Sequence, residues 1–383
     1  MLEEPTARWY ARPAPRTPFA SPPPPPPAPA PAAVREFHAS LPGYSPTRLT
    51  ELPGIASELN IGRLFVKDES TRLGLPAFKA LGASWAIHRA LAGRDTSTPV
   101  TLVTATDGNH GRAVARMARL LGQHAHVFVS AGVHPAAADA IAGEGARVTR
   151  VDGSYDEAVR RAAAVADETA DALLVQDTAW PGYERVPGWI VEGYSTLFRE
   201  IDEQLAAAGA PRPDLVVVPV GVGSLAQAAV AHYGGSPGQA PALLAVEPVA
   251  AACVLSSLSR GERVSVATGR TAMAGLNCGT PSALAWPLLR DGLAAAVAVT
   301  DEQSARAGRD LAALGVSSGP CGAASLAGVR AVVQAEDRRA AVGLRPDATV
   351  VLLSTEGTAA NPHHAAYDEE PSGLPAGAPP PSL

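Results

Sequence analysis

Lys79 stands in the run Ala77-Phe78-Lys79-Ala80-Leu81-Gly82-Ala83-Ser84, opening a segment expected to be an amphipathic helix, with Phe78, Leu81 and Trp85 at helical spacing. An amine in the first turn of a helix meets the positive end of the helix dipole, which disfavours protonation. Burial acts in the same direction, so the expectation is an amine displaced toward its neutral form, as a Schiff-base lysine requires. The ordinary alternative is a helix lysine that snorkels to water. Far along the chain, Leu215-Val216-Val217-Val218-Pro219-Val220 reads as a buried parallel strand. Gly221-Val222-Gly223-Ser224-Leu225 follows at once, ahead of an Ala-rich helix. Strand, glycine turn and helix N-terminus together offer free backbone N–H groups to an anion, usually a phosphate. One reactive lysine and one phosphate cradle point to pyridoxal 5′-phosphate (PLP).

Other polar residues fall where strands end. Thr106-Asp107-Gly108-Asn109-His110-Gly111 lies between a strand and a helix. There Asn109 offers an amide for a phenolate oxygen and Asp107 a carboxylate for proton transfer. A turn with capping Asp and Asn is the plainer reading, and His110 reads as a packing or capping residue. Asp177, in Val175-Gln176-Asp177-Thr178, either holds a substrate ammonium group or makes an Asx-turn before Pro181-Gly182. Glu247 ends one strand, and Ser354 and Thr355 end another. A neutral hydroxyl facing a pyridine nitrogen tempers the electron sink and favours elimination. Gly221-Val222-Gly223-Ser224-Leu225-Ala226 also fits the dinucleotide pattern GxGxxA, with Glu247 as the acidic partner. That competing NAD-oxidoreductase reading leaves Lys79 and the Asp107 turn without a role.

The elements that position these residues alternate. Strands are expected at Val100 to Thr104, His126 to Val129, Arg147 to Val151, Leu173 to Val175, Leu215 to Val220, Leu243 to Val246 and Thr349 to Leu353. Helices come between them, one announced by the capping-box pair Ser154 and Glu157. The expected class is α/β, with mainly parallel twisted sheets flanked by helices and ligands beyond the carboxyl ends of the strands. Residues 1-35, rich in proline, and 367-383 are expected to be disordered tails. A net charge of -6 argues against a nucleic-acid partner, and no apolar run is long enough to cross a membrane. Three dispersed cysteines and the lack of a signal-peptide core suggest a cytoplasmic protein. No metal site is expected, since His363-His364 reads as a solvated pair.

The ordered blocks Lys67-Asp68-Glu69-Ser70 with Phe78-Lys79, Ala105 to Gly111, Gln176 to Trp180, Gly221 to Gly223, Val246-Glu247-Pro248, Met273 to Leu276 and Ser354 to Gly357 make the chain resemble the diaminopropionate ammonia-lyase family. These are PLP enzymes of fold type II, the group of tryptophan synthase β and threonine dehydratase, and the resemblance runs from about Leu41 to about Thr358. It implies that Lys79 carries the cofactor as an imine, with Phe78 and Glu247 in the cofactor's surroundings. Asn109 would contact the 3′ oxygen, Gly221, Val222, Gly223, Ser224 and Leu225 would hold the phosphate, and Ser354 or Thr355 would meet the pyridine nitrogen. It further implies elimination on both enantiomers of 2,3-diaminopropionate to pyruvate and two ammonia. Lys79 would be the base for the L form, Asp107 the base for the D form, and Asp177 the anchor for the substrate's amine. The implied assembly is a homodimer whose large domain (36-84 and 186-366) binds PLP under a small mobile domain (85-185). Pro76 and the run Ser317 to Cys321 depart from the family pattern. A serine or threonine dehydratase and a catalytically silent PLP-binding homologue remain the rivals.

Overall fold

The computed structural model describes residues 9–13, 31–95, 97–106, 108–234 and 240–361. Asp107, His363-His364, the C-terminal tail and most of the N-terminal tail lie outside the described residues. In chain order the elements begin with β1 (Trp9–Ala11), α1 (Pro31–Ser40), β2 (Leu49–Glu51), α2 (Pro53–Glu58), β3 (Arg63–Asp68) and α3 (Lys79–Leu91). A second group follows: β4 (Thr101–Thr106), α4 (Asn109–Leu120), β5 (His124–Ser130), α5 (Pro135–Ala142), β6 (Arg147–Val151), α6 (Tyr155–Glu168) and β7 (Ala172–Leu174). Then come α7 (Arg185–Gly193), α8 (Ser195–Ala207), β8 (Leu215–Pro219), α9 (Ser224–Gly234), β9 (Ala242–Pro248) and α10 (Cys253–Arg260). The last are α11 (Trp286–Gly292), β10 (Ala295–Val299), α12 (Asp301–Ala313), α13 (Pro320–Val333), α14 (Glu336–Ala341) and β11 (Thr349–Ser354).

Two sheets result. The larger has the order β1-β10-β9-β8-β11-β3-β2, parallel from β10 to β3 with an antiparallel strand at each edge. Its inner strands β8, β10 and β11 are buried along their whole length, as continuous apolar runs require when helices cover both faces. The smaller sheet, β6-β5-β4-β7, is wholly parallel. Each sheet has an apolar core on either face. Ser154 caps α6 by accepting the Glu157 N–H, as the sequence suggests.

Two expectations need correction. The proline-rich tail is not structureless throughout: Trp9-Tyr10-Ala11 pairs with Val297-Ala296-Ala295, and α1 begins at Pro31. Aromatic residues with high strand propensity meet the otherwise open edge of β10 there, and Trp9 lies under the Arg338 guanidinium, 5.5 Å from its ring centroid. Helix α3 is also not amphipathic in place. Phe78, Leu81 and Ala86 pack in the core of the large sheet, while Ala80, Ala83 and Ile87 pack in that of the small one. Wedged between two cores, the helix is buried on every side from Ala80 to Ile87.

Candidate active site

The cleft forms where the carboxyl ends of the two sheets face each other. From the large sheet come the loop after β8, with Gly221 to Gly223, and the end of β11, with Thr355 and Glu356. From the small sheet come Thr106, Gly108 and Asn109 after β4, and Asp177 after β7. Strands β4 and β7 are neighbours, which brings the latter two segments together.

Helix α3 delivers Lys79 to this cleft. The Phe78 N–H donates to Thr355 O at 3.2 Å and the Gly357 N–H to Pro76 O at 2.9 Å, so the helix start is tied to the end of β11. Lys79 Nζ lies 2.5 Å from Asp177 Oδ2, with a fifth of the lysine side chain still accessible. This reverses the expected neutral amine. Burial does push the Lys79 pKa down, but the Asp177 carboxylate outweighs it and holds the ammonium above its ordinary value. Burial likewise raises Asp177, yet Lys79, then His110, hold its carboxyl down at about 2. The two groups form a committed ion pair.

Asp177 is held by devices that the sequence reading passed over. Gln176 Oε1 accepts from Ala105 N at 2.9 Å and Thr104 Oγ1 at 3.0 Å, extending the β4–β7 pairing beyond the last ladder residue. Its Nε2 donates to Tyr155 Oη at 2.8 Å, and Tyr155 lies 3.5 Å from Asp177 Oδ1. His110 bonds Val175 O at 2.8 Å through Nε2, and its Nδ1 faces Asp177 Oδ2 at 3.9 Å. Burial lowers the His110 pKa.

On the opposite wall, none of the Gly221, Val222 and Gly223 amides donates a hydrogen bond within the described residues. They lead into the N-terminus of α9, the arrangement that takes a phosphate. Side chains would be crowded at Gly221 and strained at Gly223. Gly223 has φ +100, and a Cβ on it would stand 2.6 Å from Leu289 Cδ1; a Cβ on Gly221 would stand 3.0 Å from Cys278 Sγ. Ser224 Oγ donates to Asp177 O at 2.8 Å, linking the glycine loop to the acidic residue across the cleft. The unpartnered amides and the facing lysine fit PLP.

Phe78, Asn109, Val222, Ser224 and Leu225 all line the cleft, and Asn109 Nδ2 donates to Glu356 Oε2 at 2.5 Å. Of the two hydroxyls left open by the sequence, Thr355 lines the cleft, whereas Ser354 is fully buried and donates to Ser318 Oγ at 2.8 Å. Glu247 is not brought to the cleft. Its buried carboxylate accepts the Val254 and Leu255 N–H groups at 2.8 and 2.7 Å, at the start of α10, and burial raises its pKa to about 7. Each of its oxygens accepts a backbone N–H, so in this structure Glu247 pins the start of α10 and does not line the cleft.

Glu356 and Tyr194 also line the cleft and were not singled out as site residues. Burial raises the Glu356 pKa against donation from Cys321, Asn109 and Asn361. Tyr194 is fully buried, packs its ring tilted by 52° against that of Phe78 at 4.8 Å between centroids, and has an unpartnered hydroxyl. A simpler signal identifies the lysine: the chain contains only Lys67 and Lys79. Lys67 is sealed on β3, 2.6 Å from Glu200 Oε2 with no exposure. Lys79 is thus the lysine available to a ligand.

Comparison with known proteins agrees with this geometry. Residues 41–356 match the family described as pyridoxal-phosphate dependent enzyme. The diaminopropionate ammonia-lyase of Salmonella typhimurium is 36% identical, covering 85% of this chain and 88% of that protein. The crystal structure of the Escherichia coli diaminopropionate ammonia lyase with an aminoacrylate-PLP azomethine reaction intermediate superposes with a TM-score of 0.79. Its sequence is 35% identical, covering 87% of this chain and 90% of that one. The threonine deaminase of T.th. is more distant, at 26% identity, 85% and 96% coverage and a TM-score of 0.70. The chain therefore belongs to the pyridoxal-phosphate dependent enzymes of fold type II, within the diaminopropionate ammonia-lyase family.

Proposed function

We propose that this enzyme eliminates ammonia from either enantiomer of 2,3-diaminopropionate, and that the aminoacrylate released takes up one water to give pyruvate and a second ammonia. The observation that carries this reading is the Lys79–Asp177 pair, 2.5 Å apart, in a cleft walled by the unpartnered Gly221–Gly223 amides. Bound PLP supplies the electron sink that makes the substrate's α C–H bond acidic. Lys79 would hold its aldehyde end, Gly221 to Leu225 its phosphate, Asn109 its ring oxygen and Thr355 its pyridine nitrogen.

The substrate carries a second ammonium group, and Asp177 is a carboxylate held ionised beside the site that a cation occupies in the free protein. When Lys79 engages the cofactor, the substrate's amine can replace it as the partner of Asp177. Released from the cofactor, the Lys79 amine can take the α proton from one face. Asp107 is proposed as the base for the other face, since Thr106 and Gly108 on either side of it both line the cleft. Two bases on opposite faces account for both enantiomers. The small sheet and its helices are proposed to close over the site as a lid that excludes water. A cytoplasmic homodimer is part of the same proposal, and among the described residues no helix is long and apolar enough to cross a membrane.

The test is product release from D- and L-2,3-diaminopropionate against L-serine and L-threonine. The proposal expects pyruvate from both diaminopropionates with the higher kcat/KM. A higher kcat/KM on serine or threonine would replace it with a dehydratase.

A further inference from the structure

The α6-facing side of the small sheet holds a second cavity, remote from Lys79. Strand register sets Val103, His126 and Arg147 in one row and Ala105, Phe128 and Thr149 in the next. Toward the carboxyl ends this face is dry, with Ala105 and Phe128 packed among Ala158, Val159 and Ala162 of α6. Toward the amino ends the same alternation brings His126, Arg147 and Thr149, and α6 adds Arg161 beside Val165. At this end α6 leaves the sheet open, and His124, Arg147 and Arg161 are exposed.

The polar residues share one sign. No carboxylate is among the described residues that line the cavity. Neither Arg147 nor Arg161 has an ion-pair or hydrogen-bond partner among the described residues, whereas Arg112, Arg116 and Arg119 of α4 all reach Glu144. Both unpaired guanidinium groups lie close enough to His126 to add to the effect of burial in lowering its pKa. His126 Nε2 lies 2.9 Å from Thr149 Oγ1, and its ring packs 4.3 Å from that of Phe128. Arg147 and Arg161 are exposed at the mouth of this cavity, so their guanidinium groups are open to an anion entering from solvent. Guanidinium forks are suited to phosphate and carboxylate oxygens.

We propose that this cavity binds a small organic dianion, with its charged end held by Arg147 and Arg161 and its apolar body against Phe128 and Val165. The test is calorimetric titration of PLP-saturated protein, freed of excess cofactor, with phenyl phosphate, inorganic phosphate and benzoate. Phenyl phosphate should bind at one site per chain, about tenfold or more tighter than the other two, which lack either the ring or the second charge. The double variant R147Q/R161Q should lose that binding while keeping the melting temperature and cofactor absorbance of the parent. Val165→Glu, which leaves both arginines in place, should weaken it by about tenfold or more as well. No saturable binding, equal affinity for benzoate, or binding that survives these substitutions would overturn the proposal.

Discussion

Replacing Asp177 by Asn removes one charge from the ion pair and leaves Lys79 buried. Burial alone favours the neutral amine, so the variant's Lys79 should titrate at lower pH than the parent's. The size of the change follows from the other partner. Asp177 sits at about 2 against an ordinary 3.8, although burial pulls the other way. A pairwise interaction acts equally on both partners, and His110 supplies the smaller share, so Lys79 should fall by about two pH units, on the order of 3 kcal/mol at about 1.36 kcal/mol per unit. Because only the neutral amine captures an aldehyde, the assay is the rate at which cofactor-free protein takes up PLP, followed by its yellow absorbance across the alkaline range. The Asp177→Asn profile should reach its plateau about two pH units earlier than the parent's. The sign for stability follows from the same depressed pKa. A carboxyl lowered on folding stabilises the protein above pH 4 and loses that contribution as pH falls toward 2. Superimposable uptake profiles would refute the coupling.

The remaining predictions address the other walls of the site. Lys79→Ala should abolish both the yellow band and pyruvate release while leaving the protein folded, as circular dichroism would report. Asp107→Asn should depress turnover of D-diaminopropionate far more than that of the L form; equal losses would contradict the two-base assignment. Gly223→Ala forces a side chain into φ +100 and against Leu289, and should weaken PLP binding by about tenfold or more in equilibrium dialysis. Glu247, with its pKa raised to about 7, holds an extra proton in the folded state, so its contribution to stability falls as pH rises from about 4.5 through 7. Glu247→Gln should remove that slope from urea-unfolding measurements and leave PLP affinity within about twofold of the parent.

Much of the frame is legible from local pattern. Leu215 to Pro219 and Thr349 to Ser354 are apolar runs that could only be buried strands, and the glycine turn after the first marks the anion cradle. Strand β10, Ala295-Ala296-Val297-Ala298-Val299, escaped notice because alanine favours helix in isolation; it is a strand because it fills a place between β9 and β1. The charge state of Lys79 escaped for a related reason. Local rules supply the helix dipole and burial, but the decisive carboxylate arrives from 98 positions away, on the other sheet. Glu247 shows the converse. Its position at a strand end suggests a ligand, yet the start of α10 folds back and takes both of its oxygens. Sequence neighbours reveal which residues could act, and tertiary partners decide which of them are free to do so.

The central claim is that PLP is joined to Lys79 in this cleft. Borohydride reduction of the yellow protein, followed by peptide mass mapping, tests it directly, and the chain supplies its own control in the one other lysine, Lys67, sealed against Glu200. The account predicts a single pyridoxyl group on the peptide containing Lys79 and none on that containing Lys67. A label on Lys67, or an unlabelled protein that retains full activity, would contradict it.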